Sequence, residues 1–178
     1  MTDVKVHDKI FTTFISAEKI QSRVAELGVA IDKDYSGKNP LLIGVLNGSV
    51  IFMADLLRNI KTPCEIGFIR VSSYEGTSSS GKVKSIMGLE NDIQGREVII
   101  VEDIIDTGDT ALYLIEEIKK KNPASIRFAT ILLKPEALRH KIQCDYVGFE
   151  IPPAFVVGYG LDYDGFGRNL ADIYQLKS

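Results

Sequence analysis

The sequence predicts an α/β domain, a parallel twisted sheet flanked by helices, and two observations carry that prediction. Leu41 to Leu46 (LLIGVL), the run from Glu97 (EVIIVED) and Ser125 to Leu133 (SIRFATILL) read as near-continuous apolar segments, the mark of strands buried on both faces. Helical periodicities and glycine turns fall between them, giving the rhythm of repeated βαβ units.

Taken in order, Ser16 is placed to cap a helix. Ile20, Val24, Leu27, Ile31 and Tyr35 recur every three or four residues along it until Gly37 stops it. The strand Leu41 to Leu46 runs into Asn47-Gly48-Ser49 and a helix from Val50 to Ile60. Cys64 to Val71 alternates as a strand. Ser72 to Lys84 (SSYEGTSSSGKVK) then loses nearly all apolar character, which predicts a long mobile loop of the lid or binding type. The strand from Glu97 ends in the turn DTGDT and a helix from Ala111 to Lys121, where Leu112, Ile115 and Ile118 share a face. Ser125 to Leu133, Tyr146 to Ile151 and Phe155 to Leu161 are further strands, and Leu170 to Tyr174 reads as a short closing helix.

The chain has 178 residues, 45% of them apolar, enough to bury a core without disulfides or a structural metal. With 21 basic against 24 acidic residues the net charge is −3, which disfavours nucleic acid as a partner. Cys64 and Cys144 lie far apart without ligand-spaced histidines and read as reduced and buried. The N-terminus MTDVKVHDKIF has no apolar leader, and no stretch approaches a membrane span, so a cytoplasmic location is expected. His7 and His140 have no partners at ligand spacing and receive no role.

In open parallel sheets ligands bind beyond the carboxyl ends of the strands. That rule selects Asn47 to Ser49, the loop from Ser72, Glu102 to Thr110, and the segment after Leu161. The sharpest signal is VIIVEDIIDTGDT, Val98 to Thr110. A strand delivers Glu102 and Asp103 at its end, then a turn presents Asp106, Thr107, Gly108, Asp109 and Thr110 at a helix start. Any one of these is explained as a helix cap or a solvated charge. The set is better explained by function: free N–H groups and the positive end of a helix dipole suit a phosphate. The neighbouring carboxylates suit vicinal hydroxyls, a divalent cation or proton transfer. Neither a Walker A loop nor a three-glycine dinucleotide fingerprint is present.

Two apolar residues, two acids and D-T-G-x-T resemble the phosphoribosyl-pyrophosphate (PRPP) signature of the type I phosphoribosyltransferases. Leu46-Asn47-Gly48-Ser49 with FMADLL, Val71 to Tyr74, Lys134, and VGFEIPPAFVVGYGLDY into Phe166 and Arg168 resemble the hypoxanthine-guanine branch of that family, over most of residues 40 to 175.

The resemblance implies a single domain over 1–178. Its core would span about 37–160, with a small hood from the N-terminal segment and about 161–178. It implies purine salvage: transfer of the 5-phosphoribosyl group from PRPP to hypoxanthine, and to guanine, giving IMP or GMP and pyrophosphate, with Mg2+. It assigns Asp106 as the general base at purine N7. The 5′-phosphate and ribose fall to Thr107, Gly108, Asp109, Thr110, Glu102 and Asp103, and pyrophosphate to Asn47, Gly48 and Arg168. Lys134 would donate to the purine 6-oxo group, Phe155 stack on the base, and Val156 and Asp162 offer backbone groups to its other edge. Glu102, Asp103 and Asp162 would face Mg2+, and Ser73 and Tyr74 would head a closing loop.

Two positions depart from the pattern. Asn47 replaces the lysine of mammalian enzymes, and Asp109 puts a negative charge beside the phosphate loop, so its carboxylate is expected to point away from the ligand. By the same resemblance the Asn47-Gly48 loop can hold a non-proline cis peptide, and a homodimer or homotetramer is expected. The rivals are a PRPP-binding regulator without catalysis and a transferase for xanthine, adenine or orotate. Lys134 and Phe155 argue against adenine.

Overall fold

The computed structural model describes residues 2–73, 83–88 and 92–177. In chain order the elements are β1 (Asp3–Val6), β2 (Lys9–Ile15), α1 (Ala17–Asp34), β3 (Leu41–Leu46), α2 (Val50–Asn59), β4 (Glu65–Ser73) and β5 (Val83–Met87). There follow β6 (Glu97–Ile105), α3 (Asp109–Lys119), β7 (Ser125–Leu133), a 3-10 turn (Pro135–Ala137), β8 (Tyr146–Glu150), β9 (Val156–Val157) and β10 (Ile173–Leu176).

The larger sheet has the order β5-β4-β3-β6-β7-β8, with β4, β3, β6, β7 and β8 parallel and β5 antiparallel at one edge. Alternation within each strand explains why it needs cover on both faces. Leu42, Ile99, Val101, Ala129 and Ile131 pack with Ile20, Val24 and Leu27 of α1 and with Phe52, Met53 and Leu56 of α2. Leu41, Ile43, Val45, Val98 and Ile100 point the other way, onto Ala111, Leu114 and Ile118 of α3. Nearly all of these side chains are inaccessible to solvent, and each fully buried Leu, Ile or Phe contributes roughly 2 kcal/mol of transfer free energy. At the start of α1, Ser16 has extended backbone angles and its hydroxyl accepts the Lys19 N–H at 3.4 Å, as its capping role predicts.

From β3 the chain moves to β4 on one side, and from β6 to β7 on the other. The carboxyl ends of β3 and β6 therefore flank the point where the winding reverses, which leaves a crevice there.

A smaller antiparallel sheet, β1-β2-β10-β9, joins the two chain ends. It packs around Val6, Phe11 and Val157. The carboxylate of Asp172, just before β10, accepts the Ala17 N–H at the start of α1 at 2.7 Å. Helix α1, which precedes residue 37, lies against the large sheet, and β9, which precedes residue 160, pairs within the small one.

Several local expectations are corrected. Leu170 to Tyr174 is no helix: Ile173–Leu176 is β10, paired with β2 and β9. The strand expected over Phe155 to Leu161 is paired only at Val156–Val157. Gly158 and Gly160 then adopt φ of 99° and 100°, left-handed angles that turn the chain back so that Gly158 bridges Leu161. The predicted loop from Ser72 to Lys84 is bounded by strand at both ends, since β4 continues through Ser73 and β5 begins at Val83. Tyr74 and the rest of 74–82 lie outside the described residues, so the expected lid lies there too. Cys64 and Cys144 are free but half-buried rather than buried. Among the described residues no helix is long and apolar enough to cross a membrane.

Candidate active site

A cleft of about 310 Å³ opens at the carboxyl ends of β3 and β6. Its lining includes Asn47, Gly48, Glu102, Asp103, Thr110, Asp162 and Arg168. A smaller one of about 90 Å³ adjoins it, sharing Glu102, Ile104 and Thr110 and adding Ile105 to Asp109. Thus residues far apart in sequence converge where the sheet topology leaves its crevice.

The loop after β3 approaches β6 too closely for a side chain at Gly48, where an added Cβ would lie 1.5 Å from Asp103 Oδ2. From the other side Gly160 meets the same loop, its would-be Cβ only 2.1 Å from the Gly48 carbonyl oxygen. Tyr159 pins this contact from behind: its hydroxyl donates to Asp55 of α2 at 2.8 Å. A non-proline cis bond is present in the loop, between Leu46 and Asn47 rather than at Asn47-Gly48. The Asn47 amide oxygen accepts a 2.7 Å hydrogen bond from Arg70 of β4. A cation therefore stands beside the position where the lysine is missing, supplied by a residue the sequence reading did not single out.

The two acids at the end of β6 are sunk in the protein. Glu102 is 4% exposed, and its Oε1 is buried without a hydrogen-bond partner. Burial first, and the neighbouring Asp103 second, push the Glu102 carboxyl up to about 8. Burial raises Asp103 as well, opposed by the Ile104 N–H that its Oδ1 accepts at 3.0 Å and by the charge of Arg168.

Glu102 makes the stability of the ligand-free protein depend on pH. Between the ordinary value of 4.5 and about 8 the native state holds a proton that the unfolded chain has released. The associated stabilisation is complete below 4.5 and is lost as pH rises through about 8. Glu102→Gln removes this dependence. Urea denaturation in EDTA should find the variant no better than wild type at pH 5 but more stable at pH 9, by on the order of 3 kcal/mol. Parallel stability profiles for the two proteins would show that Glu102 is ionised in the fold throughout.

Arg168 spans the cleft wall. Its guanidinium donates to the Gly160 carbonyl at 2.7 Å and pairs with Asp162 Oδ1 at 2.6 Å, while Asp162 Oδ2 accepts the Gly165 N–H at 2.7 Å. Among the described residues no group of three or more His, Cys, Asp or Glu is disposed to hold a metal. The donor set is an orphaned buried carboxylate oxygen, a second carboxylate beside it, and Asp162 on the same cleft. It fits a hard divalent cation that keeps its waters and is shared with substrate oxygens rather than caged by protein.

At the foot of α3, Gly108 takes φ of 82° and has no side chain to cap the helix; the Asp109 N–H donates to the Thr107 hydroxyl at 3.4 Å, and Gly108 to Ala111 line the smaller cleft. Asp106 stands at its mouth, 48% exposed, and its Oδ2 lies 2.6 Å from Lys134 Nζ. Lys134 follows β7, is buried at 8% exposure, and its N–H donates to the Ile105 carbonyl. Sequence placed these two residues in one site but gave no sign that they touch.

The carboxylate of Asp109 lies between the loop and the segment after the 3-10 turn: Oδ2 accepts the Thr107 hydroxyl at 2.8 Å and lies 3.6 Å from Arg139, and Oδ1 lies 2.6 Å from His140 Nε2. A spacing argument assigned His140 no role, because its partner comes from another segment. Phe155 and Val156 line neither cleft. Val156 is buried in β9, whereas Phe155 is 47% exposed, edge-on to Tyr163 at 5.7 Å, with Lys9 Nζ 5.9 Å from its ring centroid. Ser73 is placed in β4, and Tyr74 lies outside the described residues.

Comparison with known proteins agrees with this geometry. Residues 15–164 match the family model described as the phosphoribosyl transferase domain. The hypoxanthine-guanine phosphoribosyltransferase of Bacillus subtilis is 48% identical over 96% of this chain and 95% of its own length. The bifunctional protein TilS/HprT of Listeria monocytogenes is 46% identical over 97% of this chain, which spans only 27% of that relative. Among solved structures, a hypoxanthine-guanine phosphoribosyltransferase of Bacillus anthracis superposes with a TM-score of 0.86 at 41% identity, covering 97% of this chain and all of that one. The family match and the cleft at the reversal of the sheet lead to one conclusion: the chain belongs to the phosphoribosyltransferase family.

Proposed function

We propose that the protein is a purine salvage enzyme, transferring the 5-phosphoribosyl group of PRPP to hypoxanthine and guanine. A ring nitrogen of the base attacks C1 of the ribose, the bond from C1 to pyrophosphate breaks, and IMP or GMP leaves with pyrophosphate. Positive charge builds on the ribose as in glycoside cleavage, so the leaving group must be stabilised and water kept away.

The observation that carries the reading is the contact between Lys134 and Asp106 beside a helix N-terminus. On a 6-oxopurine, O6 and N7 are neighbours on one edge of the ring. A cation and a carboxylate that touch one another can therefore serve both, Lys134 donating to O6 and Asp106 accepting the proton at N7. The amides and hydroxyls of Thr107 to Thr110 hold the 5′-phosphate, and Glu102 and Asp103 face the ribose hydroxyls. Asn47, Gly48 and Arg168 receive pyrophosphate, with Arg70 within reach of Asn47. Phe155 stacks on the base, Val156 and Asp162 offer backbone groups, and Ser73 and Tyr74 head the lid. Glu102, Asp103 and Asp162 would hold Mg2+, which would supply charge neutralisation for the departing pyrophosphate. The proposal includes a cytoplasmic enzyme assembled as a homodimer or homotetramer.

The test is pyrophosphate release from PRPP with hypoxanthine, guanine, xanthine and adenine offered separately, with and without Mg2+. Magnesium-dependent turnover on hypoxanthine or guanine, and little on adenine, is expected. PRPP binding without turnover on any base would move the assignment to a regulator that has lost catalysis.

A further inference from the structure

Asp109 occupies the first turn of α3 and lines the smaller cleft, where the reading above seats the 5′-phosphate. Hydrogen bonds from Thr107 and His140 hold its carboxyl below the ordinary range, so it is an anion at neutral pH. It also occupies a donor that the phosphate needs. Thr107 has a single hydroxyl proton, and here it goes to Asp109 Oδ2 at 2.8 Å. Asp109 is thus both a like charge beside the ligand and a competitor for one of its hydrogen bonds.

The segment after the 3-10 turn counters the charge. His140 Nε2 lies 2.6 Å from Asp109 Oδ1, and because a carboxylate only accepts, that nitrogen carries the hydrogen. Arg139 brings its guanidinium to 3.6 Å from Oδ2, and its backbone N–H donates to the Thr107 carbonyl at 2.9 Å. The segment lies tight on the loop: a Cβ at Gly108 would sit 3.0 Å from Ile142 and 3.3 Å from Leu138. An acid in a first helical turn is favourable in water by itself. It has no need of a histidine on one oxygen and an arginine near the other.

We propose that His140 is a positioning residue for donor binding. It holds the Asp109 carboxylate to the side of the phosphate loop and, with Arg139, offsets its charge, so that Thr107 and the α3 amides can turn to the 5′-phosphate. This inference rests on the phosphoribosyltransferase reading and deepens it.

Four proteins decide it: wild type, His140→Ala, Asp109→Asn and the double variant, assayed in both directions. His140→Ala should raise the KM for PRPP about fivefold, the scale of a hydrogen bond to a partly exposed carboxylate. Its kcat and, in the reverse reaction, its KM for pyrophosphate should stay within about twofold. Asp109→Asn alone should bind PRPP at least as tightly as wild type, since it removes the competing charge. The decisive result is suppression, in which the double variant regains the wild-type KM for PRPP. A histidine that merely braced the loop would not be rescued by neutralising Asp109, so a double variant as weak as His140→Ala overturns the proposal. An unchanged KM in His140→Ala does the same. Should the alanine variant fold poorly, His140→Gln keeps an N–H donor and should retain most of the wild-type affinity, whereas a fivefold loss there counts against the pairing. A wild type inert with PRPP and every base would remove the transferase reading itself, a result distinct from each of these.

Discussion

Asp106→Asn should lower kcat by about 100-fold or more, the usual contribution of a general base, while the KM for PRPP moves by less than about threefold. Asparagine preserves the shape of the side chain and can still accept from Lys134, so the site is not emptied. What it cannot do is take a proton from N7 as the new bond makes that nitrogen acidic. The proposed function gives the phosphate and pyrophosphate contacts to other residues, Thr107 to Thr110 in the smaller cleft and Asn47, Gly48 and Arg168 in the larger. Donor binding should therefore survive. A secondary effect follows from the ion pair. The Lys134 side chain is 10% exposed and loses its partner charge, but Asp106 is 48% exposed, so solvent screens the loss and the stability cost should be about 1 kcal/mol. Steady-state kinetics with both substrates varied, beside a denaturation curve, separates the two effects. Equal turnover in variant and wild type would remove Asp106 from proton transfer.

The elements that sequence revealed are those whose pattern is set by their own burial. Strands β3, β6 and β7 are apolar on consecutive residues because helices cover both faces, and α1 shows both its stripe and its cap. The small sheet has no such signature. In β2 the burial alternates irregularly, from exposed to buried. Strand β10 is four residues long and is held between β2 and β9, which come from other parts of the chain, so its local pattern reads as a helix.

The same division runs through the site. Glu102 to Thr110 was legible because one strand end and one helix start hold it all. Arg70 beside Asn47, Lys134 against Asp106 and His140 on Asp109 are pairs between segments, and no spacing rule reaches across a fold. Sequence gave the residues of the site by motif, but the charges that offset Asn47 and Asp109 became visible only when the strands were brought together.

Lys134→Ala should reduce kcat/KM for hypoxanthine and guanine about 100-fold, the scale of a lost charge-assisted hydrogen bond from a buried ammonium. Most of that loss should fall on purine KM, with the KM for PRPP little changed. Preference for an oxo group over an amino group should decline with it. An ammonium donates to O6 and meets only the N–H donors of a 6-amino group, so discrimination against adenine should weaken without it. Alanine also removes the buried stem, and a packing defect could by itself weaken base binding. Lys134→Met separates the two causes, because methionine restores most of the apolar volume and none of the charge. If the ammonium reads the base, the methionine variant should select as poorly as the alanine variant while melting closer to wild type. If instead it keeps the wild-type ratio of hypoxanthine to adenine turnover, the 6-position is read by something other than Lys134. The backbone beside Phe155 and Val156 would then be the next place to look, since β9 fixes those groups by pairing with β10 and no side-chain substitution displaces them.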